Sequence, residues 1–161
     1  KTDSDVQTFT YKVSSLPKVG KTYTVGKYKY KVRKTGETGG TVGFAGMTKK
    51  TYKKAFIPSK VKIKGYSFNV IAINHNALKK YKKLTKVTIG SNVTRIARSA
   101  FYGDKKLKTI IVNSKKITKA YKAAFKGINK DAKIKVPKSK LKKYSKFFKN
   151  KGQAKTVRIT K

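Results

Sequence analysis

The apolar residues in the second half of the chain recur at a spacing of 23 or 24 positions. Residues 84–90 (LTKVTIG) and residues 107–113 (LKTIIVN) are 23 positions apart, and each apolar position of the first segment is apolar in the second. A further step of 24 carries Ile110 and Val112 onto Ile134 and Val136. Apolar residues at alternate positions of a short stretch are typical of a β-strand with one buried face. The pattern therefore predicts a series of short, equivalent strands.

The same spacing continues in the segments between the strands. Ala77 and Leu78 map by 23 positions onto Ala100 and Phe101, and an alanine–phenylalanine pair returns 24 positions later. A period of roughly 20 to 29 residues with one short strand per unit is the signature of a leucine-rich-repeat solenoid, with short helices or irregular segments on its convex side. Stacked strands are expected to bury Val87/Ile89, Ile110/Val112, Ile134/Val136 and Val157/Ile159, with an earlier strand at residues 55–57.

One unit carries a family resemblance. Residues 89–107 (IGSNVTRIARSAFYGDKKL) resemble the BspA-like bacterial leucine-rich repeat, whose units read roughly I-P-x-S-V-x-x-I-G-x-x-A-F-x-x-C-x-x-L. The resemblance covers residues 55–136 well and the remainder loosely. Ala97 replaces the usual glycine and Asp104 stands where many members carry cysteine, and neither is expected to disturb an inward apolar position. The resemblance implies a secreted or surface-exposed bacterial protein used for adhesion and binding.

The first third of the chain has a different pattern. Residues 23–32 alternate apolar side chains with lysines about a Gly26-Lys27 turn, and residues 61–70 repeat the arrangement 38 positions later about Lys64-Gly65. Both segments are predicted to be β-hairpins. The second is expected to be an outgrowth of the first solenoid turn. The predicted organisation is residues 1–16 as a linker or edge strand (Phe9, Tyr11, Val13), 17–54 as an N-terminal hairpin cap, 55–136 as repeats, and 137–161 as a C-terminal capping helix and last strand.

The capping helix is predicted from apolar residues at helical spacing. Leu141, Tyr144, Phe147 and Phe148 lie on one stripe, preceded by Ser139 as the expected N-cap and followed by Gly152 at the expected C′ position. A solenoid needs its last turn covered, which favours a helix packed on the core. A basic amphipathic helix lying on a membrane surface is the alternative.

The chemistry-bearing residues are few. The chain has no cysteine, one histidine and five acidic residues, which leaves no disulfide framework, thiolate metal site, paired acid–base carboxylates or Ser-His-Asp arrangement. His75 maps by 23 positions onto Arg98, so we expect it to face solvent. No apolar run reaches the length of a transmembrane helix or a signal peptide. We therefore expect no enzyme, cofactor or metal. Because the chain starts at Lys1, we also expect a processed or excised piece of a larger chain.

The charge balance is the most informative feature of the composition. The chain carries 44 lysines and arginines against 5 acidic residues, a net charge of +39. Such a composition also fits disorder, and the repeat pattern is what favours a fold. Equivalent positions of stacked strands lie about 4.8 Å apart, so lysines that recur before each strand should form a ridge along one edge. The expected polyanion-binding ridge consists of Lys79, Lys80, Lys82, Lys83, Lys105, Lys106, Lys108, Lys126, Lys130, Lys133, Lys149, Lys151 and Lys155. A sparser second row is expected from Lys54, Lys86, Lys135 and Arg158.

The kind of cation narrows the partner. Lysines outnumber arginines 40 to 4, and an ammonium group lacks the planar fork that reads base edges. The leading hypothesis is a secreted or cell-surface adhesion module that binds an anionic cell-wall polymer, teichoic acid first and host glycosaminoglycan next. The second is a protein–protein adhesion domain using the sheet face and the Tyr28/Tyr30 hairpin. The third hypothesis is nonspecific nucleic-acid binding. The alternative without a specific ligand is that the lysines form a solvated surface or reflect a lysine-rich genomic composition.

Overall fold

The computed structural model describes residues 16–161, which form two β-sheets and one short helix. The strands are β1 (Thr22–Val25), β2 (Tyr28–Gly36), β3 (Gly39–Met47), β4 (Lys54–Ile57), β5 (Lys60–Ile63), β6 (Tyr66–Ile73), β7 (Lys86–Ile89), β8 (Arg95–Ile96), β9 (Thr109–Val112), β10 (Lys119–Ala120), β11 (Lys133–Lys135) and β12 (Arg158–Thr160). A 3₁₀ turn (Lys138–Lys140) leads into helix α1 (Leu141–Phe148). The edge strand expected at Phe9, Tyr11 and Val13 lies outside the described residues.

The repeat strands form one parallel sheet in the order β12-β11-β9-β7-β4. Val87 lies opposite Ile110, and Ile110 lies opposite Ile134, so the spacing of 23 and 24 residues is the register of the sheet. The expected inward residues up to Val136 are buried. At the last strand, Val157 and Ile159 pack only partly buried against the core. The solenoid fold predicted from the period is confirmed.

The second sheet joins the N-terminal hairpins to the back of the repeats. Its order is β1-β2-β3-β6-β8-β10, with β5 paired to β6. The first three strands are antiparallel, whereas β3, β6, β8 and β10 run parallel to one another. Both predicted hairpins are confirmed, the second as β5 and β6. Because β6 pairs with β5 along one edge and with β3 along the other, from Ser67 to Ile73, the N-terminal strands extend the sheet.

The core between the sheets is filled by the recurring apolar positions. The rings of Phe101 and Phe125 stack with centroids 5.7 Å apart, and Phe148 of α1 meets Phe125 edge-on at 5.4 Å. The Tyr144 hydroxyl donates to the Ser114 carbonyl oxygen at 2.8 Å. Since Tyr144 and Phe148 are completely buried, α1 caps the core as expected.

The predicted ends of this helix are wrong. Ser139 lies inside the 3₁₀ turn, and α1 begins after Lys140 without a side-chain cap. Gly152 comes three residues after Lys149, the C-cap of the helix, so it is not the C′ residue. Its positive φ of 96° serves a close approach instead, because a Cβ there would lie 2.6 Å from the Lys126 Cβ. Tight stacking of neighbouring turns therefore explains this glycine.

The expectation that Asp104 leaves the inward positions undisturbed is also wrong. Asp104 is itself inward and fully buried. Its Oδ1 accepts a hydrogen bond from the Tyr81 backbone N–H at 2.7 Å, while Oδ2 has no partner among the described residues. Burial raises the pKa of this carboxyl to about 8, against the opposing effects of the Tyr81 N–H and the charge of Lys50. The core therefore contains a carboxyl that is mainly neutral at neutral pH.

Candidate anion-binding surfaces

The ridge lysines lie on stacked turns that hydrogen-bond to one another. The Lys80 N–H donates to the Tyr102 carbonyl oxygen at 2.7 Å, and the Gly103 N–H donates to that of Lys126 at 2.8 Å. Every lysine of the predicted ridge is exposed except Lys79 and Lys151, which are half-buried. Residues one repeat apart are thus neighbours in space.

Five ridge lysines surround one cavity of about 710 Å³, which we call the lysine cavity. It is lined by Lys80, Lys82, Lys105, Lys106 and Lys126 together with Tyr102, Gly103 and Gly127. Three successive turns contribute to it, and no carboxylate lines it among the described residues. The like charges of these lysines repel one another, and no carboxylate in the described part of the lining offsets them.

Tyr102 and the two glycines were missed by the sequence reasoning. The Tyr102 ring stands one repeat from Lys79 and from Lys126, and their ammonium nitrogens lie 5.5 and 5.8 Å from its centroid. An aromatic ring partly offsets the repulsion of such cations. Gly103 and Gly127 have positive φ and no side chain, which leaves the cavity open. In the sequence, Gly103 lies 23 positions after Lys80, and Gly127 lies 24 positions after Gly103. This repeat spacing is the signal that could have identified the two glycines.

The remaining ridge residues are more dispersed. Lys133 and Lys155 line a second cavity of about 470 Å³ together with Arg158, and Asp131 also lines it. Lys130 pairs with Asp131 at 3.4 Å, with both side chains well exposed. Six ridge lysines line neither cavity: Lys79, Lys83, Lys108, Lys130, Lys149 and Lys151.

The second row differs from the expected one at a single position. The register of the parallel sheet aligns Lys54, Lys86, Thr109, Lys133 and Arg158 across the five strands. Lys135 lies two residues further along β11, in the row that contains Phe56. Lys135 is exposed, as expected of an outward strand position. Lysines on other faces, such as Lys60, Lys62, Lys142, Lys143 and Lys146, show that the ridge is one part of a wider positive surface.

The aromatic hairpin offers less contact surface than expected. Tyr30 is 1% exposed and packs against Phe44, so it is not available to a partner. Tyr28 is half-buried, and its hydroxyl accepts a hydrogen bond from the Phe56 N–H at 2.9 Å. Phe56, on the outward face of the parallel sheet, is 54% exposed. An apolar contact on this face would centre on Phe56.

A third cavity was not predicted at all. It measures about 790 Å³, lies against the outer face of the mixed sheet, and contains three of the four arginines of the chain: Arg33, Arg95 and Arg98. His75 lines it and is exposed, as its equivalence to Arg98 predicted, and its Nδ1 lies 2.9 Å from the Arg98 carbonyl oxygen. We call this cavity the arginine groove.

Residues 16–161 contain neither a cluster of metal-ligating side chains nor a membrane-spanning helix. Within residues 16–161, no three histidine, cysteine or acidic side chains come together as a metal site would require. No helix in that range has the length and apolar content needed to cross a bilayer.

The comparisons with known proteins identify the repeats. The model of the BspA type leucine rich repeat region matches residues 48–161 in 6 copies. The chain belongs to the BspA-type leucine-rich repeat family. The match to this BspA-type chain includes all five strands of the parallel sheet and α1. No curated protein matches it.

Solved structures share the fold of this BspA-type chain. A leucine-rich repeat protein from Bacteroides capillosus has a TM-score of 0.66 at 20% identity over 87% of this chain and 98% of its own. A leucine rich cell surface protein from Faecalibacterium prausnitzii has a TM-score of 0.58 at 18% identity over 89% of this chain, and the pneumococcal vaccine antigen PcpA has 0.51 at 18% over 74%. The aligned region spans 44% and 42% of those two proteins' chains.

Proposed function

We propose that this chain is a non-enzymatic, secreted or cell-surface binding module that holds a linear anionic polymer in its lysine cavity. The family and its structural neighbours, one of them described as a cell surface protein, support the setting. The lysine cavity supports the ligand class. Teichoic acid of a bacterial wall is the favoured polymer, and a host glycosaminoglycan is the other source of the same chemistry.

The observation that carries the proposal is the composition of the lysine cavity. Its five lysines come from three turns that repeat with the period of the solenoid, so ammonium groups recur along its length. A polymer with regularly spaced phosphates or sulfates can meet such a series without a special fit at any one site. Each phosphate neutralised contributes a salt-dependent gain from counterion release. We therefore expect moderate, strongly salt-sensitive binding.

Two charge-matched variants test this expectation. The cavity variant changes Lys80, Lys82, Lys105, Lys106 and Lys126 to glutamine, and the control variant does the same to Lys60, Lys62, Lys142, Lys143 and Lys146. Both lower the net charge from +39 to +34, since five positive charges are lost in each. Only the cavity variant removes the clustered ammonium groups.

Binding to purified wall teichoic acid, heparin and double-stranded DNA is measured across a salt series. The slope of log K against log salt should fall by roughly 0.7–0.9 for each anionic group no longer contacted, and it should fall clearly further for the cavity variant than for the control. Equal losses in both variants would show that net charge alone determines binding. The proposal would be contradicted if the protein were not retained on the polymer at about 50 mM salt, or if it bound DNA more tightly than wall polymer. It would also be contradicted if the protein bound a protein partner at about 0.5 M salt and Phe56→Ser abolished that binding.

A further inference from the structure

We propose that the arginine groove is a separate site for one anionic sugar unit, with a carboxylate, sulfate or phosphate group held by Arg33 and Arg95. It lies on the mixed sheet, uses different cations from the lysine cavity, and needs none of the residues assigned to polymer binding.

The choice of cation is the first observation. Of the four lysine and arginine residues that line the groove, three are arginines, whereas arginines make up 4 of the 44 such residues in the chain. A general bias toward lysine predicts the opposite. Arginine presents a planar fork of N–H donors that fits the paired oxygens of a carboxylate, sulfate or phosphate.

The strand register explains the shape of the groove. Across the mixed sheet, Lys31 aligns with Gly43, Gly43 with Ala72, and Ala72 with Arg95. The two middle positions have minimal side chains, while cations stand at both sides. Because neighbouring strands are about 4.8 Å apart, the three spacings between Lys31 and Arg95 give a trough about 14 Å across at the backbone. The Asn74 amide covers part of this floor, and the remaining cavity of about 790 Å³ is large enough for a sugar ring.

Asn74 holds Arg33 in place within this trough. A Cβ on Gly43 would lie 1.9 Å from the Asn74 Oδ1, so the amide rests directly on the glycine. The same Oδ1 accepts a hydrogen bond from the Arg33 Nη1 at 3.3 Å. A guanidinium group has five N–H donors, so this bond orients Arg33 and leaves donors for a ligand.

The electrostatics of the groove favour an anion. No carboxylate lines the groove in the part of the chain that the structure describes. Both guanidinium groups belong to residues that line the groove, and partial burial together with the charge of Arg95 lowers the pKa of Arg33. An oxyanion between them would remove the repulsion and satisfy their donors together.

The remaining lining favours a sugar as the carrier of this anion. Ala45 and Ala97 are small and apolar, and Tyr121, 38% exposed, stands at the β10 side of the groove. Sugar rings combine apolar C–H faces with hydroxyl groups, which suit an aromatic ring and an amide beside them. One ammonium nitrogen, that of Lys119, lies 4.8 Å from the Tyr121 ring centroid, whereas two, those of Lys79 and Lys126, lie over the tyrosine of the lysine cavity.

The test uses variants that keep the net charge. Arg33, Arg95 and Arg98 are changed together to lysine, and Arg158→Lys, on the opposite sheet, is the matched control. Glucose 6-sulfate, glucose 6-phosphate and glucuronate are titrated by calorimetry, with glucose and inorganic sulfate as reference ligands. We expect saturable binding at one site, at least about a tenfold loss of affinity in the triple variant, and no change in Arg158→Lys.

Several outcomes would overturn the site. These are no saturable binding of any charged sugar, unchanged affinity in the triple variant, or equal affinity for inorganic sulfate and glucose 6-sulfate. Tighter binding of an acidic peptide with the same variant sensitivity would also overturn the assignment to a sugar. The glutamine variant of the lysine cavity should retain sugar binding, so failure of the polymer proposal and failure of this one are distinguished.

Discussion

The buried carboxyl of Asp104 predicts that the protein loses stability as the pH rises. Its pKa is about 8 in the folded protein and near 4 in the unfolded chain. Between these values the folded state holds a proton that the unfolded state has released, so the free energy of unfolding falls by about 1.4 kcal/mol per pH unit. From pH 5 to pH 7 the loss is about 2.7 kcal/mol, or about 5–11 °C in Tm for a chain of this size.

Asp104→Asn isolates this effect. The amide oxygen can still accept the hydrogen bond from the Tyr81 N–H, and the amide nitrogen takes the position of Oδ2, which has no partner among the described residues. The variant should match the wild type near pH 4, keep a nearly constant Tm to pH 8, and be the more stable protein from about pH 5 upward. Thermal unfolding followed by circular dichroism at half-unit pH steps measures both curves, and His75→Asn controls for the single histidine.

A flat wild-type curve from pH 5 to 7 would refute this reasoning, as would a slope of the same size in Asp104→Asn. Either result would mean that Asp104 is already ionised in the folded protein. The charge of Lys50, whose ammonium nitrogen lies 5.6 Å from the Tyr81 ring centroid, would then outweigh the cost of burial.

Two further substitutions test the packing of the solenoid, both by urea denaturation. Tyr144→Phe should cost about 1–3 kcal/mol, because the hydroxyl donates to the Ser114 carbonyl oxygen and accepts from the buried Ile117 N–H; a neutral effect would mean that water replaces it. Gly90→Ala should destabilise far more than Gly65→Ala. A Cβ on Gly90 would lie 2.6 Å from backbone atoms of the β4–β5 connection. At Gly65 no atom lies within 4 Å of the added Cβ, so the alanine would cost only the left-handed backbone conformation, about 1–2 kcal/mol. Equal losses would contradict this stacking.

The sequence predicts what depends on the repeat. Strands one period apart pair in register, so the offset that relates Val87 to Ile110 also states which residues face inward. The same offset also indicates the burial of Asp104. Asp104 maps onto Tyr81 and Ile128, both nearly fully buried, so its burial could have been predicted despite its charge. A polar residue was assumed to be exposed because most are.

The arginine groove could not be predicted in the same way. Arg95 belongs to the repeat, but Arg33 lies on β2, which joins the mixed sheet through β3, the strand that pairs with β6. No period relates these segments, and a β-bulge between Val32 and Lys34 further shifts the register. The predicted end of α1 was wrong for a similar reason, because contact with Lys126, rather than helix capping, determines the conformation of Gly152.

The two proposed sites follow from this difference in origin. Residues that recur with the period, such as Lys79 and Lys126 on either side of Tyr102, produce a surface that repeats along the solenoid and suits a polymer that also repeats. The arginine groove exists once, because it needs the unique N-terminal strands beside the first repeats. One chain should therefore bind one sugar unit in the groove, while the number of polymer charges it contacts should grow with the number of lysine-bearing turns.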